Sequence, residues 1–320
     1  MFENYLNNRF LIIIFIPFII GSLATLSFQP FNITIINFVI FPICFYLIIY
    51  INKKSKAIYR KKPYKINLFI FGLSFGFGFY LSGISWITNS LTFDENFKTL
   101  IPFALILIPL ILSFFMAVTI IIVGPFLKFD FSSLFFFSGS IAFSDYLRSK
   151  LFTGFPWNLW AYSTTWANEI IQILNIIGLY SYNLILITFF TLPVIFFFKI
   201  DKIKKIICFL FAAFLIFSLY IYGNFEINRN KKILKGTKEK IFVKIISPSF
   251  DLEYNLDDKK IENRFKKLVK YSSPDKNTKT LFIWPEGVFS GRSYEEVLNF
   301  KSIISKSFSK EHHIIFGSNK

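Results

Sequence analysis

Six uncharged apolar runs, Phe10 to Phe28, Phe31 to Ile51, Ile66 to Phe93, Thr99 to Leu127, Ile170 to Phe198 and Ile206 to Phe225, constrain this chain more than any other feature. Each is close to or beyond the ~20 residues a helix needs to cross the hydrocarbon core of a bilayer. In lipid every backbone amide and carbonyl must find its partner within the spanning structure, and runs this long exceed barrel strands, so the pattern predicts helices. A seventh run, Phe131 to Ser144, is shorter and leads into Asp145 and Arg148; it is expected to span with those two groups at the interface. The expected first part, residues 1–225, is therefore a polytopic helical bundle of about seven spans. No short hydrophobic region with a small-residue cleavage site precedes Phe10, so the first run reads as a retained anchor.

The formal charge of +17 raises nucleic acid as a partner, but many of the cations lie in short loops between spans, where they act as topology signals. The loop from Asn52 to Lys65 carries Lys53, Lys54, Lys56, Arg60, Lys61, Lys62 and Lys65, and the loop after Phe198 carries Lys199, Lys202, Lys204 and Lys205. Both are expected on the cytoplasmic side, and no nucleic-acid partner is expected. The alternating loops carry few cations, which places the N-terminus inside and everything after Phe225 outside. Without a crossing by Phe131 to Ser144 the two basic loops would fall on opposite sides. Cys44 and Cys208 lie inside apolar runs and imply no disulfide framework.

The character changes after Asn224, where charged and amide side chains become regular. Residues 226–320 are expected to form an α/β domain: a buried strand at Ile241 to Ser247, a helix at Asp257 to Ser272 with Ile261, Phe265, Leu268 and Val269 on one face, and a strand at Thr280 to Trp284. A second amphipathic helix at Ser293 to Ser307 carries Val297, Phe300 and Ile304 and precedes an apolar run at Ile314 to Phe316. The domain reads as incomplete, since its strand edges would be open and a further helix is expected.

Two segments carry candidate chemistry. In Thr280-Leu-Phe-Ile-Trp-Pro-Glu286-Gly an apolar strand delivers a carboxylate into a glycine-containing loop. Strand ends present reactive groups in α/β folds; Pro285 fixes the local backbone and Trp284 supplies an apolar wall that would raise the Glu286 pKa toward a general base's working range. The alternative is a solvated Glu at a turn. In Thr153-Gly154-Phe155-Pro156-Trp157-Asn-Leu-Trp160-Ala-Tyr162-Ser163 the aromatics are either an interfacial belt or a lipid-facing portal, and the turn imposed by Gly154 and Pro156 favours the portal. Trp86 lines a cavity or has a core or interface role. Gly72, Gly76, Gly78 and Gly83 have close-packing spacing. Asp145, Arg148 and Glu169 flank the aromatic segment and either touch headgroups or mark span ends. His312 and His313 lack partners at ligand spacing and read as surface residues; no metal site and no cofactor are expected.

Taken together, Leu26-Ser-Phe-Gln-Pro30, Gly76-Phe-Gly78 with Ser82-Gly-Ile-Ser-Trp86, Asp145-Tyr-Leu-Arg148, Thr153-Gly-Phe-Pro-Trp157 with Tyr162-Ser163, and Trp284-Pro-Glu286 resemble, in that order, the apolipoprotein N-acyltransferase family. The resemblance implies a membrane helical bundle carrying a nitrilase-like (carbon-nitrogen hydrolase) domain on the outer, periplasmic face of the bacterial inner membrane. It further implies a Glu-Lys-Cys triad with Glu286 as general base, a phospholipid as acyl donor, and a diacylglyceryl apolipoprotein as acceptor. The triad Lys and Cys and a last span are expected beyond Lys320, so the 320 residues are expected to be an N-terminal portion without activity of its own. Competing expectations are a non-catalytic membrane scaffold or remnant, and a membrane-tethered nitrilase-type amidase, against which the lipid-level portal argues.

Overall fold

The computed structural model describes residues 8–58, 64–92, 95–152, 154–236, 241–250, 253, 256–289 and 291–318. Two compact units divide the chain, residues 1–231 and 232–320.

The first unit is helical because its apolar runs offer the backbone no polar partner but itself. After a π-helical turn at Leu11–Phe15 come α1 (Ile16–Ala24), α2 (Asn37–Ile58), α3 (Tyr64–Ile84), α4 (Ile101–Val123), α5 (Phe131–Lys150), the short α6 (Asn168–Ile171), α7 (Leu174–Thr191) and α8 (Lys202–Gly236). Among the described residues, five helical stretches are long and apolar enough to cross a membrane: Thr34–Lys54, Lys65–Thr92, Glu95–Phe126, Leu174–Phe197 and Lys202–Gly236. The first of these has 21 residues, which at ~1.5 Å per residue covers about 31 Å, a full hydrocarbon core. The first apolar run forms a shorter helix, Leu11–Ser27. Helix α5 has 20 residues, and its last turns carry Asp145, Arg148 and Lys150. Both shorter segments are helical, as expected; the structure itself assigns a membrane-crossing length and apolarity only to the five.

In lipid, helices are held together by close packing more than by hydrophobic burial. The glycines of the third run serve this. A Cβ on Gly78 would stand 2.1 Å from the Phe18 carbonyl oxygen and one on Gly21 2.1 Å from that of Phe75, so α1 and α3 cross backbone to backbone. Gly72 and Gly76 meet Met116, Ala117 and Ser113 of α4 in the same way. Aromatic rings fill the rest of the core, among them Phe45 edge-on to Phe137 at 5.4 Å and Phe38 edge-on to Phe190 at 5.2 Å.

The second unit holds a parallel sheet of β1 (Phe242–Ile245), β2 (Thr280–Ile283) and β3 (His312–Ile315), in that order. Helix α9 (Asp258–Ser272) joins the first two strands, and α10 (Tyr294–Leu298) with α11 (Lys301–Ser307) joins the last two. The Asp257 carboxylate caps α9, and its apolar stripe buries Ile261, Phe265 and Leu268 against Phe282, Trp284 and Phe289. The single helix expected over Ser293 to Ser307 is two. A Ser293–Glu296 capping box starts α10, and the chain breaks at Asn299 and Phe300, where Phe300 turns in to stack on Phe265 at 5.6 Å. His312 and His313 lie inside β3, and His312 is not a free surface group: its Nδ1 accepts from the Ser309 amide at 3.1 Å and its Nε2 lies 2.8 Å from the Asp275 carbonyl.

Helices cover one face of β2 and β3, while β1 is exposed along its length. Thr280 and Phe282 are buried under the helices. On the opposite face the register aligns Val243 with Leu281 and Ile245 with Ile283 and Ile315, while Ile245 is 77% exposed.

Candidate functional site

A cleft of about 660 Å³ opens where α1, α3 and the segment before α6 end, lined by Thr25, Phe28 to Phe31, Ser82, Gly83, Ser85, Trp86, Trp157, Asn158, Tyr162 and Thr165. Three sequence segments, around residues 25–31, 82–86 and 157–165, meet here although more than 120 residues separate the first from the last. Its wall is aromatic: Trp86 and Trp157 meet edge to face, 5.4 Å apart at 78°. Its polar lining is Thr25, Gln29, Ser82, Ser85, Asn158, Tyr162 and Thr165, with no charged side chain. Such a surface accepts an amphipathic molecule, apolar on the rings and hydrogen-bonded at the rim.

Of the expected portal residues, Trp86, Trp157 and Tyr162 line the cleft; Gly154, Phe155 and Pro156 form the loop that delivers Trp157. Gly154 has φ +72°, a conformation glycine adopts without cost, and its amide donates to the Leu151 carbonyl. Thr153 lies outside the described residues. The belt reading does not hold for Trp160, which is 1% exposed and sits in the bundle core, 4.8 Å from Phe79 and 4.7 Å from Phe41. Asn158 presses on Gly83, where a Cβ would stand 2.2 Å from its amide nitrogen.

The loop is held from beneath by groups the sequence left between two readings. Arg148 and Asp145, in the last turns of α5, turn inward rather than outward: they are 1% and 2% exposed. Arg148 Nη1 donates to the carbonyls of Phe155 (2.6 Å) and Trp157 (2.8 Å), and Nη2 to Asp145 Oδ1 (3.1 Å). Asp145 Oδ2 accepts from Asn183 Nδ2 at 2.9 Å, and Asn183 Oδ1 accepts the Ala161 amide at 2.9 Å. The Arg148 guanidinium also lies over the Tyr80 ring at 5.2 Å. Hydrogen bonds to a charged group contribute ~1.5–3 kcal/mol each, more than neutral ones, because the low-dielectric interior screens them little. Sequence reading missed Asn183. Its signal was an amide deep inside an apolar run, which is costly in lipid unless partnered.

In the second unit Glu286 follows β2 rather than ending it, exposed in the turn 286–289. Gly287 supplies φ +72° there, and Gly317, beyond β3, lies beside Glu286: a Cβ on it would stand 3.5 Å from the Glu286 Cγ. Both residues follow the C-terminal ends of parallel strands, the edge where α/β sheets present reactive groups. Trp284 turns the other way, into the core, with its indole donating to Ser272 Oγ at 3.0 Å. Arg264 steadies the turn, donating to the Val288 carbonyl at 3.0 Å under the Phe250 ring. Among the described residues no group of three or more His, Cys, Asp or Glu side chains is placed to hold a metal ion.

Bundle and cleft together define the class: a helical membrane protein with an aromatic-walled cleft at the ends of its helices. Residues 20–192 match the apolipoprotein N-acyltransferase N-terminal domain. That match covers more than half of the chain, which belongs to this family. The chain is similar to the apolipoprotein N-acyltransferase of Brucella melitensis biotype 1, 27% identical over 281 residues, covering 84% of this chain and 50% of the relative. The Rickettsia bellii protein of the same name is 32% identical over 180 residues, 56% of this chain and 35% of the relative. That of Rickettsia typhi is 29% identical over 218 residues, 68% of this chain and 42% of the relative. The chain thus spans half or less of the length of these relatives.

Proposed function

We propose that this chain is the N-terminal portion of an enzyme that transfers an acyl chain from a phospholipid to the N-terminal amine of a diacylglyceryl apolipoprotein. The observation that carries the reading is the cleft, in which segments from three parts of the chain build one uncharged, aromatic-walled entrance at the ends of membrane helices. A soluble substrate needs no such entrance; a phospholipid glycerol ester with its chains in the bilayer does.

The bundle crosses the bacterial inner membrane seven times from a cytoplasmic N-terminus, counting the Leu11–Ser27 helix and α5 as spans. Burial of Asp145 and Arg148 among their own partners supports counting α5, since charged groups satisfied inside a bundle do not face lipid. Residues 226–320 are the first part of a periplasmic nitrilase-like domain. Three parallel strands with helical crossovers support this, as does the open apolar face of Val243, Ile245 and Ile315, of the kind a second layer covers.

In that enzyme Glu286 is the general base. It takes the proton from a cysteine thiol supplied by the longer protein, and the thiolate attacks the phospholipid ester carbonyl. A lysine stabilises the oxyanion, Glu286 returns the proton to the departing lysophospholipid alkoxide, and a thioester remains. The amine of the apolipoprotein then attacks the thioester, and the amine's proton passes through Glu286 to the leaving thiolate as the amide forms and the thiol is released. The test is N-acylation of a lipoprotein, read by mass spectrometry, with E286Q and W157A introduced into the complete coding sequence. Both variants should lose the product; wild-type N-acylation by E286Q would overturn the assignment of the base.

A further inference from the structure

The buried cluster beneath the cleft loop is a concentration of charge inside the bundle that calls for an account. We propose that Arg148 is a positioning residue for the cleft: it sets where Trp157 and Asn158 stand by gripping the backbone that carries them. The inference rests on the cleft being the lipid entrance, and its test separates the two.

Three backbone points of the loop are fixed by one network: the carbonyls of Phe155 and Trp157 by the two donations from Arg148 Nη1, and the Ala161 amide by Asn183. Asp145 joins the two clamps, accepting from Arg148 on one oxygen and from Asn183 on the other. The anchors stand on different helices, α5 and α7, so the loop is referenced to the bundle rather than to its own turn. Between the gripped points lie two residues that reach across to α3 and the 3-10 segment after it, Asn158 against Gly83 at the end of α3 and Trp157 against Trp86 just beyond it. A guanidinium suits this role because it presents donors in a fixed plane, whereas a lysine ammonium is a single mobile point. Arg148 itself does not line the cleft, so its effect passes through Trp157.

Fluorine NMR of the 320-residue chain in nanodiscs, with 5-fluorotryptophan at all five Trp positions, tests this. W157F and W86F identify the Trp157 line and the shift the neighbouring indole gives it. The buried Trp160 reports on the bundle and the buried Trp284 on the second unit. In R148K the Trp157 line should move to its position in W86F while Trp160 and Trp284 stay in place. Should R148K fail to fold, the D145N/R148Q double variant leaves no uncompensated buried charge and should give the same shift in a folded bundle. An unmoved Trp157 line in a folded variant would overturn the proposal. Phospholipid carrying an acyl-chain nitroxide should broaden the Trp157 line in wild type and lose that effect in the variants. A Trp157 that moves yet broadens as in wild type would refute any service to the cleft. Absence of broadening in wild type, with the shift intact, would instead remove the lipid entrance and leave the positioning role standing.

Discussion

Asp145 and Arg148 stand one helical turn apart on α5, a spacing that in a soluble helix would mark an exposed pair contributing a few tenths of a kcal/mol. Here burial changes the magnitude. Removing Asp145 alone leaves a guanidinium almost wholly enclosed, so D145A should lower stability by about 3–5 kcal/mol, whereas the neutral D145N/R148Q pair should cost far less. Loss of the helical circular dichroism signal on heating in detergent measures both. Glu286 lies at the other extreme: it is exposed, so E286Q should leave stability within about 0.5 kcal/mol of wild type. A loss of N-acylation by E286Q in the complete enzyme could then be assigned to chemistry rather than to folding. Asp275 adds a pH effect. Its carboxylate accepts from Thr278 Oγ1 at 2.6 Å and from the Asn277 amide, and these bonds hold it below the usual carboxylate range. A lowered folded pKa stabilises fully above the unfolded value, near 3.9, and that contribution is lost as pH falls through the lower folded value. Fluorescence of Trp284 should therefore report an acid weakening of the second unit that D275N reduces.

Among the elements, the α1 to α3 crossing depends on the absence of side chains. Gly78→Leu drives a side chain into the Phe18 carbonyl region and should destabilise the bundle by at least about 1–3 kcal/mol, the usual cost of overpacking. Gly139 on α5 is the contrast: nothing lies within 4 Å of its added Cβ, so Gly139→Ala should be neutral or stabilise by up to about 1 kcal/mol. Thermal unfolding of the two variants side by side checks the pair, and equal effects would refute the backbone-to-backbone crossing. In the α/β unit, helix α9 covers the stretch its apolar stripe predicts, with the Asp257 carboxylate capping it. The stretch 293–307 does not continue as one helix, because Phe300 contributes more by packing on Phe265 than by prolonging a helical turn. Local periodicity could not weigh those two outcomes.

For the whole molecule, the decisive prediction is topological. Single cysteines placed at Lys54 and Lys202 in a C44A/C208A background should be labelled from the cytoplasmic side, and one at Phe152 from the outer side. Labelling of the first two from opposite sides would remove α5 as a span. The sequence by itself determined the helical membrane class, because the absence of charge over about twenty residues is a property of composition that no fold has to arrange, and the return of charge after Asn224 led it to expect a boundary at 225/226. It also brought the aromatic loop and Glu286 forward, since glycine, proline and a carboxylate at a strand end leave local marks. Only the tertiary structure decided that Trp160 belongs to the core and Trp157 to the cleft, that Asp145 and Arg148 are buried clamps, and that Asn183 completes them. Those roles depend on which side chains meet across helices tens of residues apart, and a hydrogen bond or an aromatic contact exists only once packing has brought its two partners to within a few ångströms.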